Sequence, residues 1–244
     1  MERLEGQVSV LAALQAGRRQ FQEILLARSA GKYELADLIE TAGKRGVPVR
    51  RVDDAELDAH GKSHGGVVAV AQEKPLARAE DIYRLVEESK TPAFLALFEG
   101  ADDARNLGYL LRTAEALGVQ AALVRRRAWD LDGGALSRAS SGSFERLPVA
   151  LVGQDLAELL ELKKRKLALL GAVPQSRKTI YAADLTRPLV LAVGGEKRGL
   201  SAALRDACDE LLSIPTAGGP TSLAMTQAGA IVLAEAARQR AARR

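Results

Sequence analysis

The sequence predicts an α/β protein with a mostly parallel sheet, preceded by a smaller α/β unit. Two observations predict this class. Short apolar runs rich in β-branched residues alternate with helical stretches along most of the 244 residues, which is typical of strands joined by crossover helices. The alternation is also broken by proline and charged residues near position 80. We therefore expect a small domain over residues 1–73, a linker over 74–92 and a larger domain over 93–244.

The first domain is predicted as a short alternation of helices and strands. Its predicted strands are four to six residues long, and Gly65 and Gly66 mark a turn before the last of them. Runs of this length bounded by turn residues favour strands. The predicted helices are Val8–Ala16 and Leu35–Lys44, and the predicted strands are Ile24–Ala27, Val47–Val52 and Val67–Ala71.

The second domain repeats the alternation more regularly. The charged, helix-prone residues 79–89 lie between Pro75 and Pro92 and are interpreted as part of the linker. Beyond them, we expect helices on both faces of a parallel sheet. The predicted strands are Phe94–Phe98, Val119–Val124, Leu167–Leu170 and Leu189–Val193, and the predicted helices cover residues 104–117, 154–165, 201–207 and a last stretch ending near Arg240.

Composition excludes several classes of protein. The single cysteine, Cys208, excludes an internal disulfide and a cysteine-rich zinc site, which favours a reducing compartment. No run of 18 apolar residues predicts a membrane span, and the first ten residues do not resemble a signal peptide, so we expect a cytoplasmic protein. His60 and His64 are four residues apart, but the nearby glycines disfavour the helix that a zinc pair would need, so we expect no metal.

The net charge of +4 allows a polyanionic partner without requiring one. Other familiar sites are missing. No two glycines are separated by a single residue, which excludes the dinucleotide fingerprint, and Leu200-Ser201 stands where a Walker A motif needs G-K-[ST]. Two histidines and one cysteine leave little room for a nucleophilic triad.

Three polar or glycine-rich blocks follow predicted strands, where open α/β sheets bind ligands. The first carries Asn106 and Arg112, although Asp102 or Asp103 could simply cap the helix and leave Arg112 solvated. The second is residues 194–196, Gly-Gly-Glu, which could equally be a tight turn. The third is the Gly- and Pro-rich stretch 214–223, in which Ser222 could be only a helix N-cap.

In this order, the three blocks resemble the signature motifs of the SpoU/TrmH family of RNA ribose 2′-O-methyltransferases, part of the SPOUT superfamily. The resemblance covers residues 93–240, through residues 106–114, 194–200 and 214–223. The first domain, including residues 63–69, is similar to the L30e-like substrate-binding domain of that family. The whole chain is most similar to the branch that modifies 23S ribosomal RNA.

The resemblance implies a C-terminal α/β knot, in which the chain forms a trefoil knot and binds S-adenosylmethionine. It also implies a homodimer formed through the catalytic domain, with rRNA favoured over tRNA as the substrate. The implied catalytic residues are Arg112, Asn106, Glu196 and Ser222, and the implied cofactor residues are Gly194, Gly195, Gly199, Ile214, Thr216 and Leu223. RNA contacts are expected from Arg112, Arg125, Arg126, Arg138 and His64, although the arginine run could be a solvated loop.

One position departs from the family pattern. Ala224 stands where the third motif usually has an asparagine, and Thr226 or Gln227 could substitute for it. This departure supports an alternative hypothesis, a non-catalytic RNA-binding protein that keeps the fold. A tRNA 2′-O-methyltransferase is a second alternative. A different nucleotide-dependent α/β enzyme is disfavoured by the missing phosphate-binding motifs.

Overall fold

The computed structural model describes residues 1–31, 34–61, 63–125, 130–217 and 223–243. The strands of this part are β1 (Glu2–Glu5), β2 (Phe21–Ala27), β3 (Val49–Val52), β4 (Val67–Ala71), β5 (Phe94–Glu99), β6 (Ala121–Arg125), β7 (Val149–Leu151), β8 (Ala168–Ala172), β9 (Leu189–Gly194) and β10 (Glu210–Leu212). The helices are α1 (Gln7–Ala16), α2 (Ala36–Lys44), α3 (Asp54–Asp58), α4 (Ala79–Glu88), α5 (Ala104–Ala116), α6 (Gly133–Ala139), α7 (Ser143–Arg146), α8 (Ala157–Lys164), α9 (Ala202–Ala207) and α10 (Met225–Ala241).

All seven predicted strands are present, with bounds shifted by a few residues. The predicted helices are also present. The stretch interpreted as linker forms α4, because Ile82 on one face of that helix is buried in an apolar core. None of the described helices is long and apolar enough to span a membrane.

The chain forms two compact units, and the first is assembled from two separate stretches. It comprises residues 1–75 and 131–146, whereas the second comprises residues 76–130 and 147–244. Residues 131–146 were predicted from the sequence to belong to the second domain. The structure groups them with the first unit because α6 lies against β1 and α7 lies against α1.

A four-stranded sheet in the order β1-β4-β2-β3 is the centre of the first unit. β2 and β3 are parallel, whereas β4 runs antiparallel to both of its neighbours. Alternate residues of β2 face two apolar cores, as a strand covered on both sides requires. Ile24 and Leu26 pack with α1 and α2, and Leu25 packs with Leu57 of α3.

The α6–α7 segment is attached to this unit by a buried ion pair. Arg19 donates from Nε and Nη2 to the two carboxylate oxygens of Glu145, over 2.8 and 2.9 Å. The side chains of both residues are at most 1% exposed. Lys74 is also buried and donates to the backbone carbonyl of Phe144. The segment is therefore joined to the unit by polar contacts as well as by apolar packing.

The second unit contains a six-stranded sheet in the order β10-β8-β9-β5-β6-β7, and every adjacent pair is parallel. Helices α4, α8 and α9 contribute to the apolar core on one face. Helices α5 and α10 pack together on the other face, where α10 also contacts β9. This arrangement confirms the predicted parallel sheet covered on both faces.

The two central strands determine where a ligand can bind. From β5 the chain continues into β6 on one side, whereas from β9 it continues through α9 to β10 on the opposite side. Loops that diverge from adjacent parallel strands leave a crevice at the carboxyl edge of the sheet, which is the usual binding position in open α/β sheets. The site is therefore expected after Glu99 and Gly194.

Candidate functional site

The loops that follow β5 and β9 contact each other backbone against backbone. Glu99 and Gly194 are partners in the β5–β9 register. A Cβ atom on Gly195 would lie 2.5 Å from the carbonyl oxygen of Gly100, closer than atoms can pack. Glycine at position 195 is therefore required for the two loops to approach at the carboxyl edge.

The β9–α9 loop closes on itself. Gly199 donates its N–H to the carbonyl oxygen of Gly195 over 2.8 Å and has a positive φ of 61°. A Cβ on Gly194 would lie 2.2 Å from the carbonyl carbon of Gly199. The second block therefore lies in a tight turn formed by residues 194–199, which we call the glycine turn. This confirms the interpretation of the block as a tight turn. Its three glycines are partly exposed. Their backbone remains accessible to a ligand.

Glu196 lies at the exposed tip of this turn and makes no hydrogen bond to other residues that the structure describes. Its neighbour Lys197 lies 3.8 Å from Asp102 in the β5–α5 loop, and both side chains are exposed. This contact spans the two loops, but it is a surface ion pair and contributes little to stability.

Helix α5 carries the first motif. Asp103 caps it by accepting hydrogen bonds from the N–H groups of Arg105 and Asn106, over 2.8 and 2.9 Å, which confirms the capping interpretation. Asn106 is half-buried in the first turn. Arg112 is exposed and makes no hydrogen bond or ion pair within the described ranges. Six residues separate the two, so they lie on different faces of the helix, about 9 Å apart along its axis.

The third motif begins where β10 ends. Ile214 is half-buried and Thr216 is exposed, and neither is hydrogen-bonded to the glycine turn in the part of the chain described. Leu223 is 40% exposed. Ser222 lies outside the described residues. β10 lies at one edge of the sheet, whereas α10, which follows in the chain, packs against α5 and the central strand β9.

Ala224 occupies the N-cap position of α10, with φ −61° and ψ 151°, and no side chain among the described residues caps the helix. Farther along, α10 approaches α5 closely, since a Cβ on Gly229 would lie 2.5 Å from Leu110. The first motif therefore lies on α5, and the third motif ends just before α10, the helix that contacts α5 directly.

Arg125 is not available for the RNA contact predicted from the sequence. It is only 9% exposed, and its guanidinium pairs with the carboxylate of Glu99. It also donates to the backbone carbonyl of Gln154, over 3.2 Å. Neither the role of Glu99 nor this pairing was predicted from the sequence. The one available signal was a carboxylate ending an apolar strand, because such a buried charge requires a partner.

The other residues predicted to contact RNA differ in their exposure and in their partners. His64 has a largely buried side chain whose Nδ1 accepts the Gly66 N–H over 3.0 Å, while Nε2 lies 3.0 Å from a carboxylate oxygen of Asp58. Both ring nitrogens are therefore engaged within the loop, which gives His64 a structural role. Arg138 is exposed at its side chain and paired with Glu5. Arg126 lies outside the described residues.

The described residues offer neither a cluster of metal ligands nor a reactive thiol. No group of three or more histidine, cysteine, aspartate or glutamate residues there could hold a metal ion. Burial raises the pKa of the Cys208 thiol to about 12. This cysteine therefore stays protonated at neutral pH and is a weak nucleophile.

Comparison with known proteins gives matches over both units. Residues 93–234 match the family model of the SpoU rRNA Methylase family, and residues 3–77 match the model for RNA 2′-O ribose methyltransferase substrate binding.

Two relatives are similar over their full length. The 23S rRNA (guanosine-2′-O-)-methyltransferase RlmB of Pseudomonas putida is 31% identical over 245 residues, covering 100% of this chain and 99% of the relative. The protein of the same name from Bordetella pertussis is 33% identical, with 97% of each chain covered. Among solved structures, the SpoU methyltransferase AviRb from Streptomyces viridochromogenes, in complex with the cofactor AdoMet, aligns with a TM-score of 0.82 at 26% identity, covering 98% of this chain and 90% of that one.

Proposed function

The chain belongs to the SpoU rRNA methylase family and is an S-adenosylmethionine-dependent RNA ribose 2′-O-methyltransferase, and we propose that its substrate is a guanosine of 23S rRNA. The observation that carries the substrate proposal is the similarity to RlmB proteins across both units, at 31% identity over the whole chain. A match limited to the catalytic unit would have left the RNA substrate open.

The residues at the carboxyl edge fit the cofactor. The glycine turn presents backbone groups without Cβ atoms, and the first turn of α10 has N–H groups that none of the described side chains caps. Free N–H groups at a helix start suit a carboxylate, and S-adenosylmethionine carries one. We assign its binding to Gly194, Gly195, Gly199, Ile214, Thr216 and Leu223. When bound, it supplies an electrophilic methyl group on a sulfonium.

Arg112 acts on the RNA side of the reaction in this proposal. A ribose 2′-hydroxyl is a poor nucleophile until its proton is removed or shared. Arginine, with a pKa above about 12, is a poor base in water. The exposed guanidinium of Arg112 has no partner among the described residues, so it is free to bind the phosphate next to the target ribose. Arg112 would therefore orient the hydroxyl. The hydroxyl oxygen would bond to the methyl carbon as the carbon–sulfur bond of the donor breaks, and the hydroxyl proton would pass to solvent water.

Orientation alone accounts for a large part of the rate. Well-oriented reactants gain roughly 7–11 kcal/mol relative to the reaction between separate molecules. Asn106 would contact the ribose from the first turn of α5, since it lies on a different face of the helix from Arg112. Glu196, which has no partner among the described residues, would hold the loops around the site only once RNA and cofactor are bound. Ser222 positions the substrate or the cofactor from the start of the last helix.

The assembly is also part of the proposal. We infer a trefoil knot in the second unit, supported by a strand order in which β9 lies between β8 and β5 while α10 returns to the centre of the sheet. We further infer a homodimer formed through this unit and a cytoplasmic location, which suits a ribosomal RNA substrate. Arg126 and Arg138 are proposed RNA contacts.

The substrate proposal is tested by mapping 2′-O-methyl groups in RNA from cells with and without the gene. Loss of one methylated guanosine in 23S rRNA is expected. Loss of a methyl group from tRNA instead would make the protein a tRNA methyltransferase. No change in any RNA would favour a non-catalytic RNA-binding protein, the alternative that Ala224 supports.

The role of Arg112 is tested with purified protein and a labelled methyl donor. Arg112→Ala is expected to abolish methyl transfer while cofactor binding, measured by calorimetry, is retained. Arg84→Ala is the control, because Arg84 is similarly exposed but lies on α4, across the sheet from α5. Retained turnover in the Arg112 variant would refute the assignment.

A further inference from the structure

A carboxylate is buried at the carboxyl edge of the central strand. Glu99 ends β5 and is 8% exposed. Its Oε2 accepts the backbone N–H of Ser201 over 2.7 Å, and its Oε1 accepts from Arg125. Ser201 is the N-cap residue of α9, so this one side chain connects the end of β5 to the start of α9.

Arg125 completes the cluster from the adjacent strand. It ends β6, and its Nη1 also donates to Oγ of Ser201 over 3.0 Å. Its Nη2 donates to the carbonyl oxygen of Gln154, which lies between β7 and α8. The guanidinium thus connects four chain segments. We name Glu99, Arg125 and Ser201 the edge cluster.

The edge cluster holds both ends of the glycine turn. The turn leaves the sheet at Gly194, the register partner of Glu99, and two residues after its end lies Ser201, which Glu99 binds directly. Between those points, Gly195 lies against Gly100, the residue after Glu99. A shift of the Glu99 carboxylate would therefore displace the turn from the β5–α5 loop that it contacts.

We propose that Glu99 and Arg125 are positioning residues that hold the glycine turn, through Ser201, in the conformation that binds S-adenosylmethionine. The inference rests on the proposed function, because it assigns a role at the same site. Neither residue touches the cofactor; both act through the backbone of residues 194–201.

Stability alone does not explain this cluster. Replacing a buried ion pair by apolar residues of similar volume is often neutral or stabilising, whereas removing one partner leaves an unpaired buried charge. A purely structural role would therefore be restored by an apolar pair. A positioning role would not be, because methionine cannot reproduce the hydrogen bonds to Ser201 that fix the turn.

The experiment uses the full-length chain and compares three variants with the wild type. Glu99→Met/Arg125→Met removes both charges, and Arg125→Lys keeps the charge but loses the forked geometry. Arg19→Met/Glu145→Met is the matched control, since that ion pair is even more deeply buried but lies in the first unit. The measurements are the melting temperature, the Kd for S-adenosylmethionine and the methyl-transfer rate.

The Glu99/Arg125 double variant is expected to keep a melting temperature near that of the wild type. Its Kd for the cofactor should rise at least tenfold, and kcat/KM should fall by about 100-fold, as for a displacement of about 1 Å. Arg125→Lys should give an intermediate Kd. The Arg19/Glu145 control should bind the cofactor as the wild type does, whatever its stability.

Two outcomes would overturn the inference while leaving the proposed function intact. One is a folded double variant that binds S-adenosylmethionine with wild-type affinity. The second outcome applies if the double variant does not fold: it is a folded Arg125→Lys protein whose Kd for S-adenosylmethionine equals that of the wild type. A wild-type chain that does not bind S-adenosylmethionine would instead overturn the proposed function, and the inference with it.

Discussion

Lys74 gives the first unit a stability that depends on pH. Its ammonium donates to the backbone carbonyl of Phe144 and lies 4.2 Å from the centre of that ring. Burial lowers the pKa of Lys74 from 10.5 to about 7, with the carboxylate of Glu145 opposing the shift and Arg18 and Arg19 adding to it. The neutral amine is therefore favoured in the folded state far more than in the unfolded chain.

The sign and size of the effect follow from this difference in pKa. Below pH 7 both states carry the proton, and the folded state bears the full cost of a buried charge. Between pH 7 and 10.5 the unfolded chain binds a proton that the folded state lacks, so the free energy of unfolding rises with pH. Each pH unit adds up to 1.36 kcal/mol, which gives about 4–5 kcal/mol across the whole interval.

Lys74→Met isolates this contribution, because methionine does not titrate. The free energies of unfolding of the variant and the wild type are measured in urea by circular dichroism from pH 6 to 10. The wild type should gain about 4 kcal/mol relative to the variant over this range. Lys44→Met, at an exposed lysine on α2, should give a difference that is nearly constant with pH. A constant difference for Lys74→Met as well would refute the reasoning.

Three further predictions test the packing and the helix ends. Arg240→Met removes a guanidinium that donates to four backbone carbonyls, and it should lower the free energy of unfolding by about 3 kcal/mol; Arg238→Met, at an exposed side chain, should cost less than about 1 kcal/mol in the same urea titration. Gly43→Ala lies near the end of α2 with nothing within 4 Å of the added methyl, and calorimetry should show a gain of about 0.5 kcal/mol. Ala224→Asn supplies the missing cap of α10 and should raise stability by about 1 kcal/mol, and an unchanged melting temperature would contradict the capping argument.

Local signals predicted most of the fold. The strands that begin at Phe94 and Leu189 are almost continuous apolar runs, as strands buried on both faces require. Asp103 is a residue type typical of a helix N-cap, and it caps α5. Residues 79–88 were harder to interpret, because the flanking prolines resemble a linker while the apolar face of α4 becomes evident only against its core. The three-residue strands β7 and β10 are too short to show a period, since their pairing partners define them.

Only those parts of the site that are contiguous sequence motifs could be predicted from the sequence. The glycine turn and the α5 motif are contiguous in sequence, so their residue types indicated both position and chemistry. Arg125 was interpreted as an RNA contact because it begins a run of three arginines, whereas its partner Glu99 lies 26 residues earlier. No local sequence pattern distinguishes an arginine that is buried by pairing with a residue of a distant strand from one that remains exposed to solvent. The structural contacts of His64 were missed for a related reason, since its polar partners include Asp58, six residues earlier.

The discontinuous first unit constrains how this protein can recombine with its relatives. A chimaera with a single crossover near residue 75 would inherit Arg19 from one parent and position 145 from the other. Unless that parent also supplied a carboxylate there, a buried cation would be left unpaired, at a cost of about 3–5 kcal/mol. Residues 1–75 and 131–146 should therefore be exchanged as one inherited block, even though 55 residues of chain separate them.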